Sequence, residues 1–151
     1  MSRPSLSLRL ALLSLLQKFG LDGAKPVSTP MASGMWLTAN EEALLSDPIY
    51  YQRLVDSLQY LTLTRPDISS AVNNICQFMQ SPRDTHLIAV KLIFRYLKST
   101  LNIGLNFVQT PLIALRGFCD ADWAGSRDDR RSTTGFVVYM GDNLLSWGAK
   151  M

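Results

Sequence analysis

Phe118-Cys119-Asp120-Ala121-Asp122-Trp123-Ala124-Gly125, followed by Asp129-Arg130-Arg131-Ser132-Thr133-Thr134-Gly135, decides how this chain is read. An apolar run ends on a carboxylate, a basic and hydroxyl-rich turn follows, and a second apolar run opens at Phe136. Residues two apart on a strand project to the same side. Asp120 and Asp122 therefore stand together at a sheet end, where their oxygens suit a hard cation such as Mg²⁺ that keeps much of its water. Two solvated residues at a strand end account for the same pair equally well.

Toward the C-terminus, Phe136 to Met140 and Leu144 to Trp147 are strand-like, and Gly141-Asp142-Asn143 supplies a hairpin turn between them. Toward the N-terminus, Leu112 to Cys119 and Leu105 to Val108 extend the strand pattern. This half reads as a small antiparallel sheet without a helix of its own to cover it, an incomplete core with exposed edges.

Before Gly104 the spacing becomes helical. Leu8, Leu12, Leu15, Leu16 and Phe19 form one face that stops at Gly20, and Lys25 to Pro30 is an extended, proline-restricted linker. Met31 to Asp47 lacks periodicity and reads as loop. Tyr51, Leu54, Val55, Leu58 and Leu61 share a helix face behind Pro48. Thr64-Arg65-Pro66-Asp67 has the hydroxyl and later carboxylate of a helix start, with Ile68, Ala71, Val72, Ile75 and Met79 as the buried side. A last helix from Asp84 or Thr85 buries Leu87, Val90, Phe94, Leu97 and Leu101, and Gly104 is placed to end it in a left-handed conformation. The expected fold class is α+β. Residues 1–48 form an N-terminal helix and linker, 49–104 a small helical bundle, and 105–151 a truncated antiparallel sheet.

The composition permits this. An apolar fraction of 47% in 151 residues can bury a core, and 15 Lys and Arg against 12 Asp and Glu tolerate a nucleic-acid partner without demanding one. Cys76 and Cys119 lack paired spacing, so we expect core thiols in a reducing intracellular setting rather than a disulfide or metal framework. Arg3, Arg9 and the early serines, with no acid before Asp22, have the look of a mitochondrial presequence. The apolar run Leu10 to Leu16 falls far short of the roughly 20 residues of a membrane span.

Lys91, Arg95 and Lys98 follow helical rhythm on a second face and could lie along a phosphate backbone, with Arg65, Arg127, Arg130 and Arg131 nearby, although a solvated helix face is the commoner cause of such a stripe. His86, the only histidine, stands at a helix start, where capping or packing suits it better than general-base chemistry. Trp123 and Trp147 suit a sheet core better than base stacking. Ser132, Thr133 and Thr134 serve as phosphate donors or as an ordinary turn.

Several longer stretches occur in a telling order: Lys25-Pro26-Val27-Ser28-Thr29-Pro30-Met31, Leu54 through Ile68, His86-Leu87-Ile88-Ala89-Val90-Lys91, Arg95-Tyr96-Leu97-Lys98, and the two segments that open this section. On these the chain resembles the C-terminal part of a copia-type long-terminal-repeat retrotransposon Pol polyprotein, from the end of the reverse transcriptase into ribonuclease H. The resemblance implies thumb or connection helices to about Leu101, gripping an RNA–DNA template-primer, and a ribonuclease H fold that begins at Leu112. It also implies that Asp120 is the first metal-binding carboxylate of a Mg²⁺ site; Asp122 is added as a weaker ligand on the strand spacing alone. The later carboxylates of that site and the polymerase carboxylates have no counterpart here. Asp56 stands where the family usually has Gly, and Gly148-Ala149-Lys150-Met151 replaces its Ser-Lys-Lys-Gln. The expectation is a fragment, ancestrally nucleic-acid-binding and catalytically incomplete alone. One alternative is a Mg²⁺-dependent nuclease completed by another chain or a longer product. The other is a non-enzymatic protein-interaction module.

Overall fold

Most apolar residues at three- and four-residue spacing are buried where that spacing puts them, whereas Met79, Leu87 and Leu101 are only partly buried and the last helix buries Ala89 and Ile93 as well. In the computed structural model, which describes residues 6–40, 42–111, 113–123, 125–126 and 128–150, four helices precede three strands. These are α1 (Leu6–Lys18), α2 (Pro48–Leu61), a 3-10 turn at Pro66–Ile68, α3 (Ser69–Cys76), α4 (Asp84–Ser99), β1 (Leu115–Ala121), β2 (Thr134–Met140) and β3 (Asn143–Lys150). The fold is α+β, with helices first and an antiparallel sheet after them.

On α2, Tyr51, Leu54, Val55, Leu58 and Leu61 are all buried, as expected from their register. They meet Ile68, Ala71, Val72 and Ile75 from the 3-10 turn and α3, and Ala89, Val90, Ile93, Phe94 and Leu97 from α4. Leu12 and Leu16 of α1 complete the same core. Each such aliphatic side chain removed from water is worth about 1.5–3 kcal/mol, so the helical half holds most of the stabilising burial. Asp56 lies on the exposed side of α2, so its charge stays hydrated.

Helix ends follow local chemistry, with two corrections. Asp47 caps α2 by accepting the Tyr50 N–H at 2.9 Å, with Pro48 in the first turn. The helix start at Thr64 to Asp67 is present, but neither Thr64 nor Asp67 caps it: the Thr64 hydroxyl turns back to the Leu61 carbonyl, and Asp67 is taken by Arg65. Gly104 does not end α4. That helix stops at Ser99, where Thr100 bonds back to the Tyr96 and Leu97 carbonyls, and Gly104 keeps a negative φ.

The sheet order is β1-β2-β3, with Asp120 opposite Gly135, Phe118 opposite Val137 and Val137 opposite Trp147. Leu105 to Val108 is not a strand. The Val108 backbone instead exchanges both hydrogen bonds with the side-chain amide of buried Asn143, at 2.7 and 2.8 Å, which satisfies it without a ladder. The expected strand from Leu112 begins at Leu115, and Leu112 itself lies outside the described residues. All seven residues of β1 are exposed, and the sheet meets the helices chiefly where β3 packs near α3.

Candidate functional site

At the C-terminal end of β1 the Asp120 and Asp122 side chains line one cleft of about 460 Å³, whose far wall is Pro66, Ser69 and Ser70 at the start of α3. Phe118 and Trp147 form its apolar floor. Both carboxylates are exposed, and each already has a main-chain partner. Asp120 Oδ1 accepts the Ala121 N–H at 2.9 Å, and Asp122 Oδ1 accepts the Thr133 N–H. Asp122 also presses on Gly125, where an added Cβ would fall 1.9 Å from its Oδ2, so a residue without a side chain is required there. Among the described residues no three His, Cys, Asp or Glu side chains converge on a common point. Two carboxylates, one already committed to a loop, do not make up the donor set that a two-metal hydrolysis needs, and no catalytic step follows from them alone.

The basic candidates scatter. Arg65 is fully buried: its guanidinium grips Asp67 at 2.9 and 2.7 Å and donates to the Thr100 carbonyl and hydroxyl at 3.1 and 2.7 Å. Buried there and committed to four hydrogen bonds, it is not accessible to a phosphate. Arg95 and Lys98 project from α4 onto the linker, Arg95 to the Lys25 carbonyl at 2.6 Å and Lys98 to the carbonyls of Asp22 and Ala24. Lys91 remains exposed on α4. Arg130 and Arg131 are exposed in the loop between β1 and β2, where Arg131 pairs with Asp129 at 3.1 Å. Arg127 lies outside the described residues. The hydroxyl-bearing Thr133 joins the carboxylate end through its backbone, with the Asp122 N–H donating to its carbonyl at 3.1 Å.

The remaining expectations hold at His86 and are revised at Trp123 and the two thiols. His86 is buried and stacked on Phe78 with ring centroids 3.8 Å apart; Nδ1 accepts the Arg83 N–H at 3.0 Å and Nε2 donates to the Thr38 carbonyl at 2.9 Å. This is the capping and packing role, and burial holds its pKa below the usual histidine value, with the Arg83 charge acting in the same direction. Trp123 is 92% exposed and is no sheet-core residue, because it lies beyond the last paired residue of β1. Trp147 is half-buried, and its indole N–H donates to the Thr62 carbonyl at 2.8 Å. Neither thiol is a full core residue. Cys76 is half-buried, accepts from Gln59 at 3.0 Å and has its pKa raised by burial, while Cys119 is exposed on β1.

Sequence reasoning missed the polar cluster that Arg65 organises. The Tyr96 hydroxyl closes it by donating to Asp67 at 2.8 Å. The Arg-x-Asp spacing was visible, but Tyr96 and Thr100 join only through the packing of α4.

The helices are followed by an open sheet whose acidic strand end, among the described residues, does not close into a complete site. Over 145 residues, 96% of its length, the chain is 46% identical to "Retrovirus-related Pol polyprotein from transposon RE1" of Arabidopsis thaliana. Over 144 residues it is 38% identical to "Retrovirus-related Pol polyprotein from transposon TNT 1-94" of Nicotiana tabacum. The chain spans 10% and 11% of these two proteins. It is also 42% identical, over 136 residues, to "Uncharacterized mitochondrial protein AtMg00810" of Arabidopsis thaliana, covering 90% of this chain and 56% of that protein. Its relatives at 38–46% identity are copia-type retrotransposon Pol polyproteins, and the chain matches one segment of them. No family model and no solved structure matches it. Among the described residues no helix is long and apolar enough to cross a membrane.

Proposed function

We propose that this segment spans the end of a reverse transcriptase and the opening of a ribonuclease H unit, that it contacts RNA–DNA hybrid, and that it does not cleave on its own. The observation that carries this reading is the match to Pol polyproteins over 96% of this chain. The placement of Asp120 and Asp122 on one cleft beside the start of α3 supports it. Helices α1 to α4 form the thumb or connection part. Asp120 offers one ligand of a Mg²⁺ site whose other carboxylates come from a longer product or a second chain, and Asp122 contributes more weakly because the Thr133 N–H already holds it. Among the described candidate cations, Lys91, Arg130 and Arg131 are exposed to meet phosphates, Arg131 by exchanging its contact with Asp129. Cys76 and Cys119 as free thiols favour an intracellular setting.

Fluorescence anisotropy with a labelled RNA–DNA hybrid tests the binding. Affinity is expected to fall steeply as salt rises, since phosphate contacts release counterions. Lys91→Glu combined with Arg130→Glu and Arg131→Glu is expected to weaken binding by about tenfold or more, each lost phosphate contact reducing the salt slope by about one. Binding that is absent at low salt, or unaffected by these reversals, overturns the reading. In a cleavage assay with Mg²⁺ the chain alone is expected to leave the hybrid intact. Cleavage that Asp120→Asn abolishes would instead establish a self-sufficient nuclease.

A further inference from the structure

Three residues at the start of α4 hold one stretch of irregular chain. The His86 Nε2–H donates to the Thr38 carbonyl at 2.9 Å, and the Arg83 guanidinium donates to the carbonyls of Ala39 and Glu42. Beside them the Leu45 N–H donates to the Pro82 carbonyl at 2.9 Å. The same stretch reaches the sheet, because the Ala39 N–H donates at 2.7 Å to Oδ2 of Asp128 in the loop between β1 and β2. Glu42 sits at a φ of 68°, a left-handed backbone that a non-glycine residue keeps only while its surroundings hold it.

Among these residues His86 alone has a side chain that titrates near neutral pH. Its ring is buried against Phe78, and both nitrogens are committed, Nδ1 as acceptor of the Arg83 N–H at 3.0 Å and Nε2 as donor. A second proton enters only at Nδ1, where it meets the Arg83 N–H head-on. The surrounding charges pull both ways. Arg83 at the start of α4 opposes an imidazolium, whereas Glu42 of the pinned stretch and Asp128 of the sheet loop favour one; Phe78 brings no charge. Glu42 and Asp128 are exposed and screened by solvent, while the ring is buried.

We propose that His86 is the pin of a proton-sensitive clasp: a proton at Nδ1 loosens Thr38, Ala39 and Glu42 from the start of α4 and, through Ala39, slackens the tether on the β1–β2 loop at Asp128. The ring must turn to part its new N–H from that of Arg83, which takes Nε2 away from the Thr38 carbonyl. The new charge also stands beside the guanidinium that holds Ala39 and Glu42, so the second anchor is opposed by the same event. Strain at Glu42 favours release once its holders weaken. The folded ring takes its proton less readily than a free one, so the clasp is complete above about pH 6.5 and is lost as pH falls from there through the lower folded value. Every contact in the clasp is internal to the chain and independent of what the chain binds.

Because His86 is the only histidine, its ring signal stands alone in a proton NMR titration of the full chain from pH 8 to pH 5. Its midpoint is expected below about 6.5. The amide signals of Ala39 and Leu45, and of Ser126 and Arg130 in the sheet loop, should move with that same midpoint. Hydrogen exchange at the two ends of the range, corrected for intrinsic rate, should show Ala39 and Leu45 losing protection while Leu58 and Ile93 in the core keep theirs. His86→Gln accepts and donates but does not titrate, and should remove both responses. Asp128→Ala changes an exposed residue and cuts the tether. It should keep the response at Leu45, abolish that at Ser126 and Arg130, and lower the ring midpoint, since a carboxylate that favours the imidazolium is gone. A ring that stays neutral to pH 5 or titrates at or above 6.5 overturns the proposal. So do loop amides that fail to follow the ring, protection lost equally from the core, a response that persists in His86→Gln, or a sheet-loop response that survives Asp128→Ala.

Discussion

Arg65 is a cation with no water around it, and its stability depends wholly on Asp67, Thr100 and Tyr96. Burial works to raise the Asp67 pKa, but the hydrogen bonds and charge of Arg65, with the Tyr96 hydroxyl, outweigh it and hold the carboxyl below its ordinary value. Removing one partner of such a pair strands the other. Asp67→Ala is expected to cost about 3–5 kcal/mol, read from the midpoint of urea unfolding. Asp67 and His86 then place pH dependence in separate windows. The folded state takes up a proton on Asp67 later than the unfolded chain does, so its contribution is present above the unfolded value of about 3.9 and is lost as pH falls through the lower folded value. His86 is also depressed in the folded state. As pH falls through about 6.5 the unfolded chain binds the proton first, and stability declines. Protonation at Nδ1 would also remove the acceptor for the Arg83 N–H. Unfolding free energies measured between pH 8 and pH 5 should therefore fall in the native chain and flatten in His86→Gln, which has no group to titrate there.

At the scale of elements, boundaries are set by single polar groups that meet orphan backbone atoms. Asp47 satisfies one of the free N–H groups at the start of α2. Asp47→Ala is expected to cost about 1 kcal/mol, measurable as a lowered thermal midpoint with helix content retained. The charged stripe on α4 serves a related purpose. Arg95, Lys98 and Ser99 hold carbonyls of residues 22, 24, 25 and 27, so the proline-rich linker is pinned along α4 without secondary structure of its own. A stripe that reads as a phosphate-binding face in a linear sequence is here largely spent on the chain itself, which leaves Lys91 as its outward-facing member.

The whole molecule is unevenly stable. Apolar burial is concentrated in α1 to α4, whereas β1 is exposed along its length and β3 forms the main link to the helices. The Trp147 indole N–H on the Thr62 carbonyl is one specific tie between the halves. Trp147→Phe leaves that carbonyl without its donor at a cost of about 1 kcal/mol. Amide hydrogen exchange should then quicken through β1 to β3 while α2 and α4 stay protected, because regions with few buried apolar contacts open first. Equal loss of protection in both halves would mean that sheet and helices unfold as one unit.

The sequence by itself determined what short-range periodicity and turn chemistry control: the buried face of α2 residue for residue, the helix start at Pro66, the hairpin between β2 and β3, and the carboxylates at the end of β1. The homology to retrotransposon Pol polyproteins was legible for the same reason, in long ordered stretches such as Leu54 through Ile68. Only the tertiary structure decided how long-range partners are used. It spent Arg65 on Thr100 and Tyr96, turned Lys98 onto the linker, gave Val108 a side chain of Asn143 in place of a strand, and left Trp123 and Cys119 exposed. Hydrogen bonds and burial at these sites join residues more than 30 positions apart or depend on which face another element covers, and neither quantity is encoded in local spacing.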